Sequence, residues 1–282
     1  DQIDITRQLK AQVGARLDMY RQVMSQTFNN EEIRQDPTVV TPRAGLTYEI
    51  IPNLTLFGGY AESFRPSMDA DTGFITGTDG RGFDPERGRA YEVGLKIDLF
   101  HNALSVTAAA FDILKTNVVT PDPLRPGFSI AAGEVRSQGV DVNVAGNITP
   151  EWRVFGGYTY TDARVSDDPT IPVGSPMANV PLHAFKLQTV YEFQDGPLAG
   201  FGIGGGVTAL DERAGTSTGT GLVLPGYVTV DALAYYKLDD RNRISLNVEN
   251  VFDTEYYASA LGPTRITVGQ PFTAFLTLDT KF

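Results

Sequence analysis

The sequence predicts an all-β protein, an antiparallel transmembrane β-barrel segment of about twelve strands. Three observations predict it. Apolar and polar residues alternate along many segments, many of these segments are long enough to cross a bilayer when tilted, and short turns alternate with long polar stretches. The composition agrees, because 29 glycines, 12 tyrosines and 16 phenylalanines favour strands and tight turns over long helices.

The alternation is clearest between Leu9 and Met19, where every second residue is apolar and the residues between them are mostly polar. A period of two places neighbouring side chains on opposite faces, so each such segment predicts a strand with one apolar face. Similar segments begin at Ala44, Tyr91, Val140, Val228, Ile244 and Phe272. The residues expected to face lipid include Val140, Val142, Val144, Ile244, Leu246 and Val248.

The connections between these strands alternate between short and long. Short turns are expected at Pro52-Asn53, His101-Asn102, Thr149-Pro150, Asp195-Gly196 and Asp239-Asp240. Long polar stretches cover residues 21–41, 65–88, 117–134, 163–181, 211–224 and 251–269. All short turns then lie at one end of the sheet, which is the plan of outer-membrane barrels and puts both chain ends on the periplasmic side. Twelve strands could close alone or form part of a larger ring.

Charge and cysteine content narrow the functional classes. Lys and Arg total 23 while Asp and Glu total 34, and the formal net charge of -11 argues against nucleic acid as a partner. The absence of cysteine removes disulfides and thiolate metal sites. No window approaches the roughly 20 apolar residues of a spanning helix. The chain starts at Asp1 without a leader, so we expect that upstream sequence is missing.

The sequence offers few residues that could form a catalytic or metal site. The two histidines, His101 in a short turn and His183 at a strand start, favour structural roles over a metal cluster or a catalytic triad. The glycine runs at 58–59, 156–157 and 202–206 lack the Lys and Ser or Thr that end a phosphate loop. We therefore predict no enzyme, no catalytic residues, no metal site and no cofactor.

The stretch from Asn250 to Tyr257, NVFDTEYY, carries a resemblance to a known family. Its residues Asn250, Phe252, Asp253, Tyr256 and Tyr257 resemble the Asn-Leu-Phe-Asp-x-x-Tyr pattern near the C-terminus of TonB-dependent receptors. Further similar stretches lie at 61–67, 85–96, 134–163 and 179–193. The resemblance implies that residues 1–282 are the C-terminal part of a 22-stranded receptor barrel in the cell outer membrane of a Gram-negative bacterium, with no plug domain present.

Within that family the motifs most resemble siderophore receptors. The resemblance implies a ferric siderophore as transported ligand, the TonB complex as a partner through the missing plug, the barrel insertion machinery and outer-membrane lipid. A fragment without the plug is not expected to transport alone. Three alternatives stay open: a passive outer-membrane pore or structural barrel, a receptor for another ligand such as cobalamin or carbohydrate, and an outer-membrane hydrolase.

Two further sets of residues are candidates for function. Phe64, Phe74 and Phe128 lie within long loops or at their ends, where aromatic faces can pack on a bulky chelate. Leu276, Leu278 and Phe282 alternate along the last strand, and a terminal aromatic resembles the signal read by the barrel insertion machinery. We expect Phe282 to be the true C-terminus and part of that signal.

Overall fold

The computed structural model describes residues 1–26, 31–66, 83–121, 129–217, 221–262 and 264–281. These ranges contain nineteen strands and a single 3-10 turn at Gly196–Leu198. The strands are β1 (Gln2–Asp4), β2 (Leu9–Met19), β3 (Gln22–Gln26), β4 (Glu31–Gln35), β5 (Thr38–Ile51), β6 (Leu54–Arg65), β7 (Glu86–Leu99), β8 (Leu104–Pro121), β9 (Ser129–Asn147), β10 (Trp152–Asp167), β11 (His183–Glu192), β12 (Phe201–Leu210), β13 (Arg213–Ala214), β14 (Val223–Leu224), β15 (Tyr227–Lys237), β16 (Asn242–Glu249), β17 (Tyr257–Ala260), β18 (Ile266–Val268) and β19 (Thr273–Thr280).

Thirteen strands form one antiparallel sheet in the order β1-β2-β5-β6-β7-β8-β9-β10-β11-β12-β15-β16-β19. Twelve of them have eight residues or more and β1 has three, so the predicted all-β class and strand number are confirmed. The order makes β1 and β19 the two edges of the sheet, and no pairing joins them within the ranges given above. No helix in those ranges is long and apolar enough to span a membrane.

The predicted alternation of short turns and long loops is confirmed. Turn residues in the left-handed region close the short connections, with φ of 73° at Asn53 and 57° and 69° at His101 and Asn102. Asparagine tolerates this conformation better than most residues, which explains its use here. The opposite end carries the long connections, which contain three separate two-stranded hairpins, β3–β4, β13–β14 and β17–β18.

The predicted loop over residues 117–134 is too long. β8 continues to Pro121 and β9 begins at Ser129, which makes them the longest strands, with 18 and 19 residues. At about 3.3 Å per residue each strand is roughly 60 Å long. Their 18 and 19 residues well exceed the roughly 9–11 residues that a tilted strand needs to cross a bilayer. The extensions at 117–121 and 129–134 contain Val118, Val119 and Ile130, which favour strands, while the prolines at 121, 123 and 126 misled the composition-based prediction.

The register gives the sheet one apolar and one polar face. Val142 pairs with Ala108 and Tyr158, and Leu246 pairs with Ala234 and Leu276. Followed strand by strand, this register places all six residues that were expected to face lipid on the apolar face. The opposite face carries polar side chains, as in the row Thr107, Asn143, Gly157, Lys186 and Thr208.

Many of the large apolar side chains are exposed on the surface of the sheet, and few are buried in a core. Leu246, Leu276 and Leu278 are 44%, 73% and 64% exposed, and many other large apolar side chains on the same face are also exposed. A soluble sheet covers such a face with another layer, whereas a membrane barrel presents it to lipid. The pattern is therefore that of a membrane-facing sheet.

Candidate functional site

The long connections at one end of the sheet are the most structured part of the chain outside the strands. Three of them follow β10, β12 and β16, and we call them the 168–182 loop, the 211–226 loop and the 250–272 loop; residues 218–220 and 263 are outside the described ranges. Side chains of these loops contact the backbone of their neighbours, so the loop end is the first candidate site.

Asn250 builds the base of the 250–272 loop. It is 3% exposed and its φ is 50°. Its side chain accepts a hydrogen bond from the backbone of Thr254 at 2.9 Å and donates to the carbonyls of Thr254 and Gln270 at 2.9 and 3.0 Å. Its own backbone amide donates to the Asp231 carboxylate at 2.9 Å. One buried side chain thereby joins both ends of the loop to each other.

The rest of the NVFDTEYY motif has separate structural roles. The Asp253 carboxylate accepts a hydrogen bond from the backbone of Phe272 at 2.8 Å. Tyr256 stacks on Tyr227 with ring centroids 4.2 Å apart. Phe252 is 73% exposed. The motif that carries the family resemblance therefore folds the loop, and its polar groups bond to the chain itself.

Arg213 is a buried cation at the centre of the loop end. It is 4% exposed, and its Nη2 donates to the carbonyls of Tyr257 and Ala258 at 2.7 and 2.9 Å. Its guanidinium lies 5.6 Å from the ring centroid of Tyr227, within cation–π range. Its Nη1 is buried without a hydrogen-bond partner in the part of the chain that the structure describes. The positive charge of Arg213 is thus stabilised by backbone carbonyl groups of the 250–272 loop.

Asn179 joins the 168–182 loop to the 250–272 loop. Its side chain donates to the carbonyl of Ala260 and accepts from the amide of Ala260, both at 2.8 Å. The backbone of Asn179 has φ of 63°, a conformation that asparagine tolerates. Its amide donates to the carbonyl of Ala214 at 2.8 Å, which adds a contact with the 211–226 loop.

Asp168 anchors the start of the 168–182 loop. Its Oδ1 accepts hydrogen bonds of 2.8 Å from the amides of Thr170 and Ile171 and one of 3.2 Å from the hydroxyl of Thr120 on β8. Partial burial raises the pKa of this carboxyl, but the hydrogen bonds from Ile171 and Thr170 outweigh it and leave the pKa below the usual value of 3.8. The ionised carboxylate therefore holds this turn.

The polar face of the sheet offers shallower features. Asn143, Thr159, Lys186 and Thr208 line a hollow of about 320 Å³ over the glycines at 156–157. Near the short turns, the Glu192 carboxylate accepts hydrogen bonds of 2.6 Å from Tyr235 and Lys237. No group of His, Asp or Glu side chains within the described ranges has the arrangement of a metal site. These features suit a wall that borders a water-filled lumen.

Of the predicted ligand contacts, the structure describes Phe64. This residue is the last but one of β6 and lies on the same face as Tyr60, and its ring stacks on that of Tyr20 with centroids 5.8 Å apart. Phe74 and Phe128 lie outside the described residues, so the three are not brought together here and their role stays a prediction.

The predicted assembly signal falls on the edge strand β19. Leu276 and Leu278 lie on the apolar face and pair with Leu246 and Ile244. Phe282 lies outside the described residues. Sequence reasoning assigned no role to Asn179, which begins the family-like stretch 179–193, or to Arg213, because their partners lie 81 and 44 residues away.

Comparison with known proteins gives the family. Residues 1–251 match the family described as "TonB dependent receptor-like, beta-barrel". The chain is 40% identical to the "Metal-pseudopaline receptor CntO" of Pseudomonas aeruginosa over 99% of its own length and 40% of that protein. It is 34% identical to the "Ferrichrome outer membrane transporter/phage receptor" of Escherichia coli over 88% of its length and 32% of that protein.

A solved structure agrees with these matches. The siderophore receptor PiuA of Acinetobacter baumannii superimposes with a TM-score of 0.86 at 26% identity, over 100% of this chain and 42% of that one. The chain thus spans about two fifths of the length of these proteins. The chain belongs to the TonB-dependent receptor β-barrel family, which is a family of the Gram-negative outer membrane.

Proposed function

We propose that this chain is part of the barrel of an outer-membrane receptor that takes up metal chelates with energy relayed by TonB, and that its cargo is a ferric siderophore. The observation that carries the proposal is the match over nearly the whole chain to a receptor named for a metal chelate, metal-pseudopaline. Other similar proteins are named for ferrichrome and ferric-pyoverdine. These names share one ligand chemistry, a metal ion held by an organic chelator.

The structure supports this proposal in two ways. A sheet with one apolar and one polar face suits a wall between lipid and a water-filled lumen. The loops gathered at one end provide a built surface where a ligand would first arrive. The partners that follow are outer-membrane lipid, the insertion machinery and, through a plug, the TonB complex.

The alternatives differ in what they require. A passive pore needs no energy coupling and no ligand surface, and the names of the matched proteins describe receptors and transporters. Cobalamin or carbohydrate would use the same barrel, and the names of the matched proteins favour a metal chelate over either. A hydrolase finds no support in these names, which describe receptors and transporters.

Uptake assays test the proposal. The full-length protein is expressed in an iron-limited host that lacks its own receptors, where growth is measured on purified ferric siderophores and on a ferric pseudopaline chelate, and in a cobalamin-dependent host that lacks its own receptor, where growth is measured on cobalamin. We expect chelate-dependent growth that is lost when TonB is deleted. Growth that survives TonB deletion would identify a passive pore, and growth on cobalamin alone would identify a different cargo. Residues 1–282 expressed alone should not restore growth.

We retain Phe64, Phe74 and Phe128 as proposed chelate contacts. Their support is positional, since aromatic faces near the loop end can pack on a bulky ligand. Phe64 stacks on Tyr20, so it would act as part of an aromatic pair.

A further inference from the structure

The three loops that follow β10, β12 and β16 are joined to one another pairwise. The 168–182 and 211–226 loops share the hydrogen bond from the Asn179 amide to Ala214 and a second one, 2.9 Å long, from the Ala178 amide to the hydroxyl of Ser217. The 168–182 and 250–272 loops share the two bonds between Asn179 and Ala260. Each of these two pairs is therefore held by at least two hydrogen bonds between described residues.

Arg213 joins the third pair of loops. Its Nη2 donates to Tyr257 and Ala258 and so supplies the two bonds between the 211–226 and 250–272 loops. The stacking of Tyr227 on Tyr256 reinforces the same junction. With three junctions, no one of the three loops can leave the other two without breaking four hydrogen bonds.

The junctions enclose a small buried centre of their own. Leu224, Ala260 and Arg213 are 1%, 2% and 4% exposed. A Cβ added at Gly215 would lie 2.6 Å from the side chain of Leu222 and 3.5 Å from the Cβ of Ala260, so side chains of the neighbouring residues pack directly on this glycine. Exposed connections are usually the least stable part of a protein, whereas buried hydrogen-bonded contacts are typical of a cooperative unit.

We propose that the described residues of the 168–182, 211–226 and 250–272 loops form a single cooperative unit, clasped by Asn179 and Arg213, that gains and loses its structure as one body. The clasp is a property of the free protein and does not depend on which ligand is carried. In a receptor, the three joined loops form one rigid side of the barrel opening. A ligand that orders one of these loops therefore orders the other two.

Hydrogen exchange of the full-length protein in lipid nanodiscs, without ligand, tests the clasp. Peptides covering the amides of Met177, Gly215 and Gly269 report one loop each, and neither these residues nor their hydrogen-bond acceptors are to be replaced. A single unit predicts that all three amides exchange with the same protection and the same denaturant dependence.

Two variants break the clasp at different junctions. Asn179→Gly removes the side-chain bonds to Ala260 while leaving the left-handed backbone free of Cβ strain. Arg213→Ala removes the bonds to Tyr257 and Ala258. Each loss of two hydrogen bonds should speed exchange on the order of tenfold, by the same factor at all three reporting peptides.

The matched control is Asn53→Gly, which makes the same replacement at a residue with similar positive φ in a short turn at the opposite end of the sheet. It should leave the three peptides unchanged. If either clasp variant speeds exchange only in its own loop, or changes no peptide, the loops are independent and the proposal is wrong. Because no chelate is present, failure here would leave the proposed uptake function untouched.

Discussion

The side chain of Asn250 and the backbone of Thr254 form a reciprocal pair of hydrogen bonds, each 2.9 Å long. Because Asn250 is almost completely buried, its side-chain amide cannot turn to water when the pair is broken. A buried donor or acceptor left unpaired costs about 1–3 kcal/mol. The pair is therefore a main support of the 250–272 loop.

Asn250→Gly should destabilise this loop by about 2–4 kcal/mol, because it removes three side-chain hydrogen bonds and keeps the positive φ accessible. The measurement is the free energy of local opening at Gly269, obtained by hydrogen exchange. Asn102→Gly, in a short turn with φ of 69°, is the control and should leave Gly269 unchanged. Similar values for both variants would mean that the backbone conformation matters and the side-chain bonds do not.

Leu246→Arg should be more destabilising than Asn247→Arg. Leu246 lies on the apolar face opposite Ala234 and Leu276, while Asn247 lies on the polar face. An arginine on the lipid face near the bilayer midplane costs about 2–4 kcal/mol, and one in a watery lumen costs less. Titration of refolding into lipid vesicles measures the difference. Equal costs would contradict the proposed orientation of the faces.

The 168–182 loop should loosen in acid through Asp168. The pKa of Asp168 in the folded protein is lowered, so its stabilisation is complete above about 3.8 and is lost as the pH falls through the folded pKa. A spin label at Val173, which is exposed, should gain mobility below about pH 4. Asp168→Asn should show much less change over the same range. Identical pH profiles for the two proteins would remove Asp168 as the cause.

Replacing Phe64, Phe74 and Phe128 together by alanine should weaken chelate binding by the full-length receptor. Each lost aromatic contact is worth about 0.5–1.5 kcal/mol beyond its buried area, so three give a loss of tenfold or more. Equilibrium binding of the chelate to outer membranes measures it. Phe100→Ala, at a short turn on the opposite end, serves as the control. Unchanged affinity at normal surface expression would remove the three residues from the site.

Deleting Phe282 in the full-length protein should slow membrane insertion in cells and leave refolding into detergent largely intact. The reason is that a recognition signal acts on the insertion machinery, while an interfacial anchor contributes only burial, at most a few kcal/mol. Pulse-chase measurement of folded barrel in the outer membrane separates the two roles. Normal insertion after the deletion would show that Phe282 is an anchor and not a signal.

The sequence by itself determined the class of fold and the two faces of the sheet. Strand side chains alternate with a period of two, so Val140, Val142 and Val144 could be assigned to one face from their spacing alone. The positions at which the strands end were harder to predict from the sequence. β8 and β9 extend into the stretch predicted as a loop because Val118, Val119 and Ile130 favour strand pairing, although the nearby prolines indicate a loop.

Only the tertiary structure decided what the loop residues do. The NVFDTEYY segment could be recognised from sequence, but its role in closing a loop base depends on where Asp231 and Gln270 lie in space. Asn179 and Arg213 carry no local signal of their loop contacts, since their hydrogen-bond partners come from other loops and are set by the order of strands in the sheet. A periodic pattern records which face a residue occupies, whereas a contact between distant loops exists only once the whole sheet has fixed their positions.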